Sequence, residues 1–325
     1  MKKYISFITF VFLILVYFAC DDQANLQDEK EEQDKNIIWE QVPHSTFSGS
    51  INDIIWNGNE FVAVGSNNGR IAKSNNGIEW TNVHNSTDGT NYYCIAWGGN
   101  RYVSGYNYGQ IGYSNNGITW IGSASYLSFG SWNTILSIIW GNNIFVAGGY
   151  THIGYSTNGI DWITINELFK KNEGNYPINS IAWNGIRFVA VGGAGQIAYS
   201  NNGIDWEKIE NNTFGNDSIN AIAWNGSIFL AGGYNGRLAY STDGINWILI
   251  NNSPFGTNSI NTIVWGNGRF VAGGNYGMMA YSNDGTEWTT ESDSTFGNST
   301  INAITWNGTR YVTVGSNGKI AYSNR

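Results

Sequence analysis

This chain predicts an all-β fold: a seven-bladed β-propeller of four-stranded antiparallel blades, with the last blade closed by the N-terminal strand. Three observations carry the prediction. A Trp followed by a turn recurs at Trp56, Trp97, Trp140, Trp183, Trp224, Trp265 and Trp306, at intervals of 41, 43, 43, 41, 41 and 41 residues. A period near forty filled with β-type runs marks a closed ring or array of small sheets. Each repeat also divides into four short runs bounded by turn residues. Finally, each end of the chain holds part of a repeat, and the two parts add up to one.

Residues 219–250 show the elements in order. The first run, Ile219 to Trp224, ends at Asn225-Gly226, a pair suited to a type I′ hairpin because both residues tolerate positive φ. The second run, Ile228 to Ala231, stops at Gly232-Gly233; the third, Arg237 to Tyr240, stops at Asp243-Gly244; the fourth is Asn246 to Ile250. Each is too short for a helix. Runs such as Phe61-Val62-Ala63-Val64 are apolar at consecutive positions, which suits strands buried on both faces. No intervening segment is long enough for a parallel crossover, so the repeat is a meander.

The ends argue for a ring. Six repeats finish in Ser-x-x-Gly-x-x-Trp, at Ser74 to Trp80, Ser114 to Trp120, Ser156 to Trp162, Ser200 to Trp206, Ser241 to Trp247 and Ser282 to Trp288. The seventh stops at Tyr322-Ser323-Asn324-Arg325, before its Trp. The missing piece stands at the front: Ile37-Ile38-Trp39-Glu40-Gln41-Val42 matches Ile204 to Ile209, and Thr46-Phe47 follows it as Thr213-Phe214 follows Ile209. The N-terminal strand is expected to complete the last blade and cover an edge that would otherwise fray. An open solenoid would instead end in atypical caps.

The repeated Ser-x-x-Gly-x-x-Trp turn resembles the Asp-box of bacterial neuraminidase-type repeats, Ser-x-Asp-x-Gly-x-Thr-Trp. The spacing here is one residue shorter. The third position is Asn in four copies (Asn76, Asn116, Asn158, Asn202) and Asp in two (Asp243, Asp284). The resemblance covers nearly all of residues 37–325 and implies a propeller in which the box holds the fold away from the ligand face. The residues agree with that role: an Asn or Asp side chain bonds N–H groups within a turn, Gly supplies the unusual dihedral, and the Trp staples the outer strand.

Composition divides the chain. The formal charge is −8 with 12% charged residues. Residues 21–36 hold seven acids (Asp21, Asp22, Asp28, Glu29, Glu31, Glu32, Asp34) against Lys30 and Lys35, and with almost no apolar residues they are expected to form a disordered tether. Before it come Lys2-Lys3, an apolar run from Tyr4 to Ala19, and Cys20. That order describes a secretory signal over 1–19. With Cys20 directly after Ala19 it resembles a bacterial lipoprotein signal, which implies lipidation at Cys20, a tether over 20–36 and a propeller held in the cell envelope by its lipid anchor only. Tyr17-Phe18-Ala19-Cys20 departs from the usual Leu-Ala-Gly-Cys form at its bulky second position, Phe18. Cys94 then has no intrachain partner and is expected to be a small buried side chain. The 37–325 region has no basic stripe, which argues against nucleic acid.

No catalytic constellation is present. His44, His84 and His152 are scattered without metal-ligand spacing, and neither a nucleophile elbow nor a phosphate loop occurs. No cofactor and no metal are therefore expected. The enzymatic rival is a sialidase-like or other glycoside hydrolase, active or degenerate, because the repeat resembles neuraminidases, whose resemblance implies an Arg triad, acids and a Tyr nucleophile. Here Arg101, Arg187, Arg269 and Arg310 each precede the aromatic of the second strand and so follow repeat phase, whereas a catalytic group is needed once. Another rival is an assembly factor: the repeats are similar to those of propellers that help build photosystem II, but a basic Arg-rich patch is missing.

Two loop sets vary, and both fall on one face of the ring. The loops between second and third strands carry Tyr106, Tyr108, Tyr150, His152, Tyr234 and Tyr276; those joining blades carry Phe129, Phe169, Phe214, Phe255 and Phe296. The phenylalanines are expected to plug gaps between blades. The tyrosines and His152 are the expected ligand-binding set, because a rim aromatic on a solvated loop offers stacking area at low entropic cost. The sequence thus predicts a monomeric, non-catalytic module that recognises a protein or glycan.

Overall fold

A computed structural model describes residues 37–324, apart from 68, 87–88, 123–132, 151, 167, 172–173 and 211–212. The expected signal, Cys20, tether and Phe129 lie outside the described residues. The described residues form seven four-stranded antiparallel sheets, a seven-bladed β-propeller. Blade 1 comprises Ile51–Trp56, Phe61–Gly65, Arg70–Ser74 and Thr81–Asn85; blade 2, Tyr92–Gly98, Arg101–Tyr106, Ile111–Ser114 and Ile121–Gly122. Blade 3 comprises Ile135–Gly141, Ile144–Gly149, His152–Ser156 and Ile163–Asn166; blade 4, Ile178–Trp183, Phe188–Gly192, Ile197–Ser200 and Glu207–Lys208. Blade 5 comprises Ile219–Trp224, Phe229–Gly233, Leu238–Ser241 and Ile248–Ile250; blade 6, Ile260–Gly266, Arg269–Gly274, Met279–Ser282 and Thr289–Thr290. Blade 7 comprises Ile301–Trp306, Tyr311–Gly315, Ile320–Ser323 and, from the other end of the chain, Trp39–Gln41. A small hairpin, Lys170–Lys171 with Gly174–Asn175, decorates the connection between blades 3 and 4.

The first strand of every blade is the innermost and lies against the first strands of its two neighbours, the seventh against the first included. Apart from Arg101 at the start of blade 2's, the second strands are buried at every position, as in Phe61–Gly65 and Phe229–Gly233. This is why their apolar residues run consecutively rather than alternate. Each anchor Trp stacks on the aromatic directly opposite it on the second strand, with ring centroids 4.7 Å apart for Trp56 and Phe61 and 4.1 Å for Trp183 and Phe188. Phe47, Phe169, Phe214, Phe255 and Phe296 are buried between blades, as plugs.

The boxes hold the outer hairpins by one repeated set of bonds. Ser74 Oγ accepts from the Gly77 N–H, Asn76 Oδ1 accepts from the Ile78 and Glu79 N–H groups, and Trp80 Nε1 donates to the Gly77 carbonyl. The same set recurs at Ser241, Asp243 and Trp247. Blade 7 has no box, since the two chain ends stand in its place. There Trp39 pairs with Ser323, Glu40 with Tyr322 and Gln41 with Ala321, and the buried Trp39 Nε1 has no hydrogen-bond partner among the described residues.

The hairpins after the anchor Trp correct one expectation. At Asn225-Gly226 only the glycine has positive φ, 100°. The Asn225 side chain instead caps a wider loop, accepting from the Ser227 and Ile228 N–H groups. Asn57, Asn184 and Asn307 do the same. Two-residue turns with both residues at positive φ, the type I′ signature, occur instead at Gly99-Asn100, Asn142-Asn143 and Asn267-Gly268.

Candidate binding face

The box turns and the first-to-second-strand turns share one face of the ring; the second-to-third-strand loops and the blade connections share the other, called here the loop face. Five loops on it tighten into 3-10 turns: Asn107–Gly109, Gly193–Gly195, Tyr234–Gly236, Asn275–Gly277 and Ser316–Gly318. The middle residue is left-handed in each: Tyr108 at φ 60°, Ala194 at 52°, Asn235 at 54°, Tyr276 at 57° and Asn317 at 60°. In three of them, Gly236, Gly277 and Gly318, the glycine that follows lies under the next blade connection. A Cβ at Gly318 would come within 2.4 Å of the Phe47 carbonyl oxygen.

Four of the six expected binding residues stand out into solvent: Tyr108, Tyr150, Tyr234 and Tyr276 are 59%, 49%, 54% and 65% exposed. Blades 2 and 3 carry one pair and blades 5 and 6 the other, so the aromatics form two arcs. Tyr106 departs from the expectation of a solvated rim aromatic. It is 6% exposed and packs edge-on against Tyr92, ring centroids 4.6 Å apart. It occupies the strand-end position that is glycine in the other blades, and its hydroxyl fills the space over Gly112, where a Cβ would meet it at 1.5 Å. Five other blades have alanine at that point (Ala72, Ala198, Ala239, Ala280, Ala321). His152 is partly buried with Nδ1 3.1 Å from Asn133 Nδ2.

Sequence reasoning missed the inner edge of this face. Every first strand carries a bulge after its first residue. In five blades the bulged residue is Asn, and its Nδ2 donates to the first carbonyl of the next blade's inner strand: Asn52 to Tyr92, Asn179 to Ile219, Asn220 to Ile260, Asn261 to Ile301 and Asn302 to Ile51. Blades 2 and 3 have Tyr93 and Leu136 there instead. The readable signal was an Ile-Asn-x-Ile tetrad in five of seven repeats. Asn52 also donates to Ser66 Oγ and Asn261 to Asn275 Oδ1, which ties these residues to the loop face at the mouth of the central channel.

The next position holds Asp53, Cys94, Ser137, Ser180, Ala221, Thr262 and Ala303. Asp53 Oδ2 accepts from the Ile95 N–H of blade 2 and Oδ1 from the Ile54 N–H, both at 2.8 Å. Thr262 Oγ1 accepts from the Ile304 N–H in the same way. Burial pushes the Asp53 carboxyl up to about 7 against the pull of those two bonds. Burial, reinforced by the Asp53 charge, also pushes the Cys94 thiol well up, so this buried cysteine stays protonated.

The arginines do not converge. Arg101, Arg187, Arg269 and Arg310 lie over Tyr113, Tyr199, Tyr281 and Tyr322 of their own blades, 4.7 to 5.1 Å from the ring centroids. Arg187 and Arg310 also donate to the Asp243 and Asn76 carbonyls in the next blade's box, a lock between blades on the face opposite the loops. In blade 1 the pair is replaced by Glu60 and Lys73, 2.6 Å apart. Among the described residues no group of three or more His, Cys, Asp or Glu is placed to hold a metal ion.

No family model and no curated relative matches the chain. Solved structures do share its fold. A structure of YCF48 from Cyanidioschyzon merolae aligns over 88% of this chain and 98% of that one, with a TM-score of 0.68 and 16% identity. YCF48 bound to D1 peptide aligns over 89% and 96%, again at 0.68 and 16%. A chain from the crystal structure of the mitotic checkpoint complex aligns over 88% and 93%, at 0.62 and 12%. At these identities the likeness is one of fold.

Proposed function

We propose that this chain is a non-catalytic binding or scaffold module that recognises a protein or glycan through the loop face of its propeller. The observation that carries the reading is the placement of Tyr108 and Tyr276. Each is exposed and holds a left-handed backbone that costs a non-glycine residue on the order of 1 kcal/mol. Neither gains burial in exchange, and strain of this kind gathers at functional positions. A structural neighbour, YCF48, is seen with a peptide, which favours a protein partner. Arg101, Arg187, Arg269 and Arg310, each stacked on a tyrosine of its own blade, supply no clamp for a sugar carboxylate, which disfavours the hydrolase reading. The lipid anchor at Cys20 remains part of the proposal: the module would stand in a bacterial cell envelope on an acidic tether.

The test uses the partner recovered by cross-linking in envelope extracts and then purified. Alanine at Tyr108 with Tyr150, or at Tyr234 with Tyr276, is expected to weaken its binding while the melting temperature holds. Binding that survives both pairs and is lost on changing the turns at Asn57, Asn184 or Asn225 would place the interface on the opposite face.

A further inference from the structure

We infer that a cleft on the outer flank of blade 1, beside its box, is a receptor for the phenol ring of a tyrosine side chain on a partner protein. The first support is a ring missing from the repeat. One register position of the third strand, opposite a Val or Leu of the second, is Tyr in six blades: Tyr113, Tyr155, Tyr199, Tyr240, Tyr281 and Tyr322. Each is partly or wholly buried. Tyr199 and Tyr322 also donate their hydroxyls to Glu207 and Glu40, their cross-strand neighbours on the fourth strand. Blade 1 has Lys73 there, opposite Val62. Its ammonium is drawn toward the second strand and blade 2, to Glu60 Oε1 at 2.6 Å and the Asn116 carbonyl at 2.7 Å. Beside it lies a cleft of about 320 Å³ whose lining includes Lys73, Asn75, Glu79, Thr81 and Val83. That volume stands at the lower end of the range for ligand pockets, enough for one ring.

The second support is the chemistry of the lining. Thr81 stands opposite Lys73 on the fourth strand, where blades 4 and 7 have Glu207 and Glu40. Val83 packs against the core between blades 1 and 2. With the methylene stem of Lys73, these two give the cleft an apolar floor. The rim holds unspent acceptors. In blades 2 and 4 the side chains of Asn115 and Asn201 accept from the Nε groups of Arg101 and Arg187. Blade 1 has Glu60 in place of that arginine and Asn75 in place of those asparagines. Among the described residues neither the Asn75 side chain nor the Glu79 carboxylate has a partner. The floor suits an aromatic ring and the rim suits a hydroxyl donor, the combination that Tyr199 and Tyr322 already show within the chain. An anion fits less well, because Lys73 spends its charge on Glu60 and the Glu79 carboxylate would repel it. A bare ammonium would leave the floor uncovered.

The cleft is separate from the loop face, and the inference does not rest on the proposed function. The full-length chain in detergent is titrated calorimetrically with acetyl-Gly-Tyr-Gly-amide and with its Phe and Leu counterparts. Saturable binding of the tyrosine peptide is expected at a Kd on the order of 1 mM, the range open to one small side chain. The phenylalanine peptide should bind several-fold more weakly, and the leucine peptide weaker by roughly tenfold or more. Glu60→Arg with Lys73→Tyr copies the Arg187 and Tyr199 pair of blade 4 and fills the cleft with a ring of the chain's own. It is expected to lower tyrosine-peptide affinity by roughly tenfold or more without lowering the melting temperature. Thr81→Trp, at an exposed edge-strand position, covers the cleft from the fourth strand and should have the same effect, so the site stays testable if the double variant does not fold. No saturable binding, phenylalanine or leucine bound as tightly as tyrosine, or undiminished binding in a folded variant would overturn the inference. Alanine at Tyr108 with Tyr150, or at Tyr234 with Tyr276, should leave this binding in place; its loss there would move the ring to the loop face and overturn the inference as well. A loop-face partner found alongside a failed tyrosine titration would end this inference and leave the proposed function standing.

Discussion

Asp53 is the residue whose environment most sharply sets its chemistry. Its folded pKa of about 7 lies above the unfolded value of 3.8, so folding takes up a proton between the two. The stability this brings is whole below pH 3.8 and is lost as pH rises through about 7. Asp53→Thr should remove that dependence, so urea unfolding across this window should shift in the variant's favour as pH rises; a constant difference would contradict the assignment. Asp243 runs the other way. Burial raises its carboxyl, but bonds from the Asn246 and Ile245 N–H groups, the Asn246 side chain and Ser241 outweigh it and hold it at about 2. Its contribution is present above 3.8 and is lost as pH falls through about 2, and Asp243→Asn, the residue of four other boxes, should blunt that acid loss. Trp39 gives a third contrast. Trp80 Nε1 is bonded and Trp39 Nε1 is not. Trp80→Phe should therefore cost about 1 kcal/mol of hydrogen bond, whereas Trp39→Phe should cost less in the same denaturation assay.

Among the elements, the N-terminal strand has the largest consequence for its size. Trp39–Gln41 supplies the outer strand of blade 7, and Val42 and Phe47 enter the core shared with blade 1. Removing residues 37–42 should lower the melting temperature of the whole ring, and Trp39→Ala alone should cost on the order of 3–5 kcal/mol. Unchanged melting of both variants would mean that the ring does not depend on this closure. The loop-face turns predict the opposite sign. Tyr108→Asn and Tyr276→Asn restore the residue that Asn235 and Asn317 use at the same left-handed position. Each should stabilise the fold by up to about 1 kcal/mol and weaken partner binding, and a variant that gains stability without losing binding would remove the functional reading of the strain.

For the whole molecule, the proposed attachment and the proposed binding can be tested separately. If Cys20 carries the anchor, Cys20→Ser should leave the precursor unprocessed and release no lipid-modified form. A variant that still partitions into detergent after signal cleavage would contradict it. The loop-face binding tested above is expected to survive in that variant.

The sequence by itself determined the blade count, the strand order, the boxes and the closure, since each rests on local turn chemistry or on a period that needs no knowledge of neighbours. Rim exposure of Tyr108, Tyr150, Tyr234 and Tyr276 was also readable, because loop tips between short strands are solvated. Only the tertiary structure decided the rest. Tyr106 is buried because the third strand offers it a gap at Gly112. The Ile-Asn-x-Ile tetrad of five blades was readable, but the bond its bulged asparagine makes was not, because it runs to a carbonyl 40 residues away, or 251 residues away for Asn302 and Ile51. Asp53 was one acid among many until blade 2 closed over it and left its carboxylate with two amide donors and no cation. Burial and partners here come from the adjacent blade, and a ring sets adjacency by closing in space, beyond the reach of any local pattern.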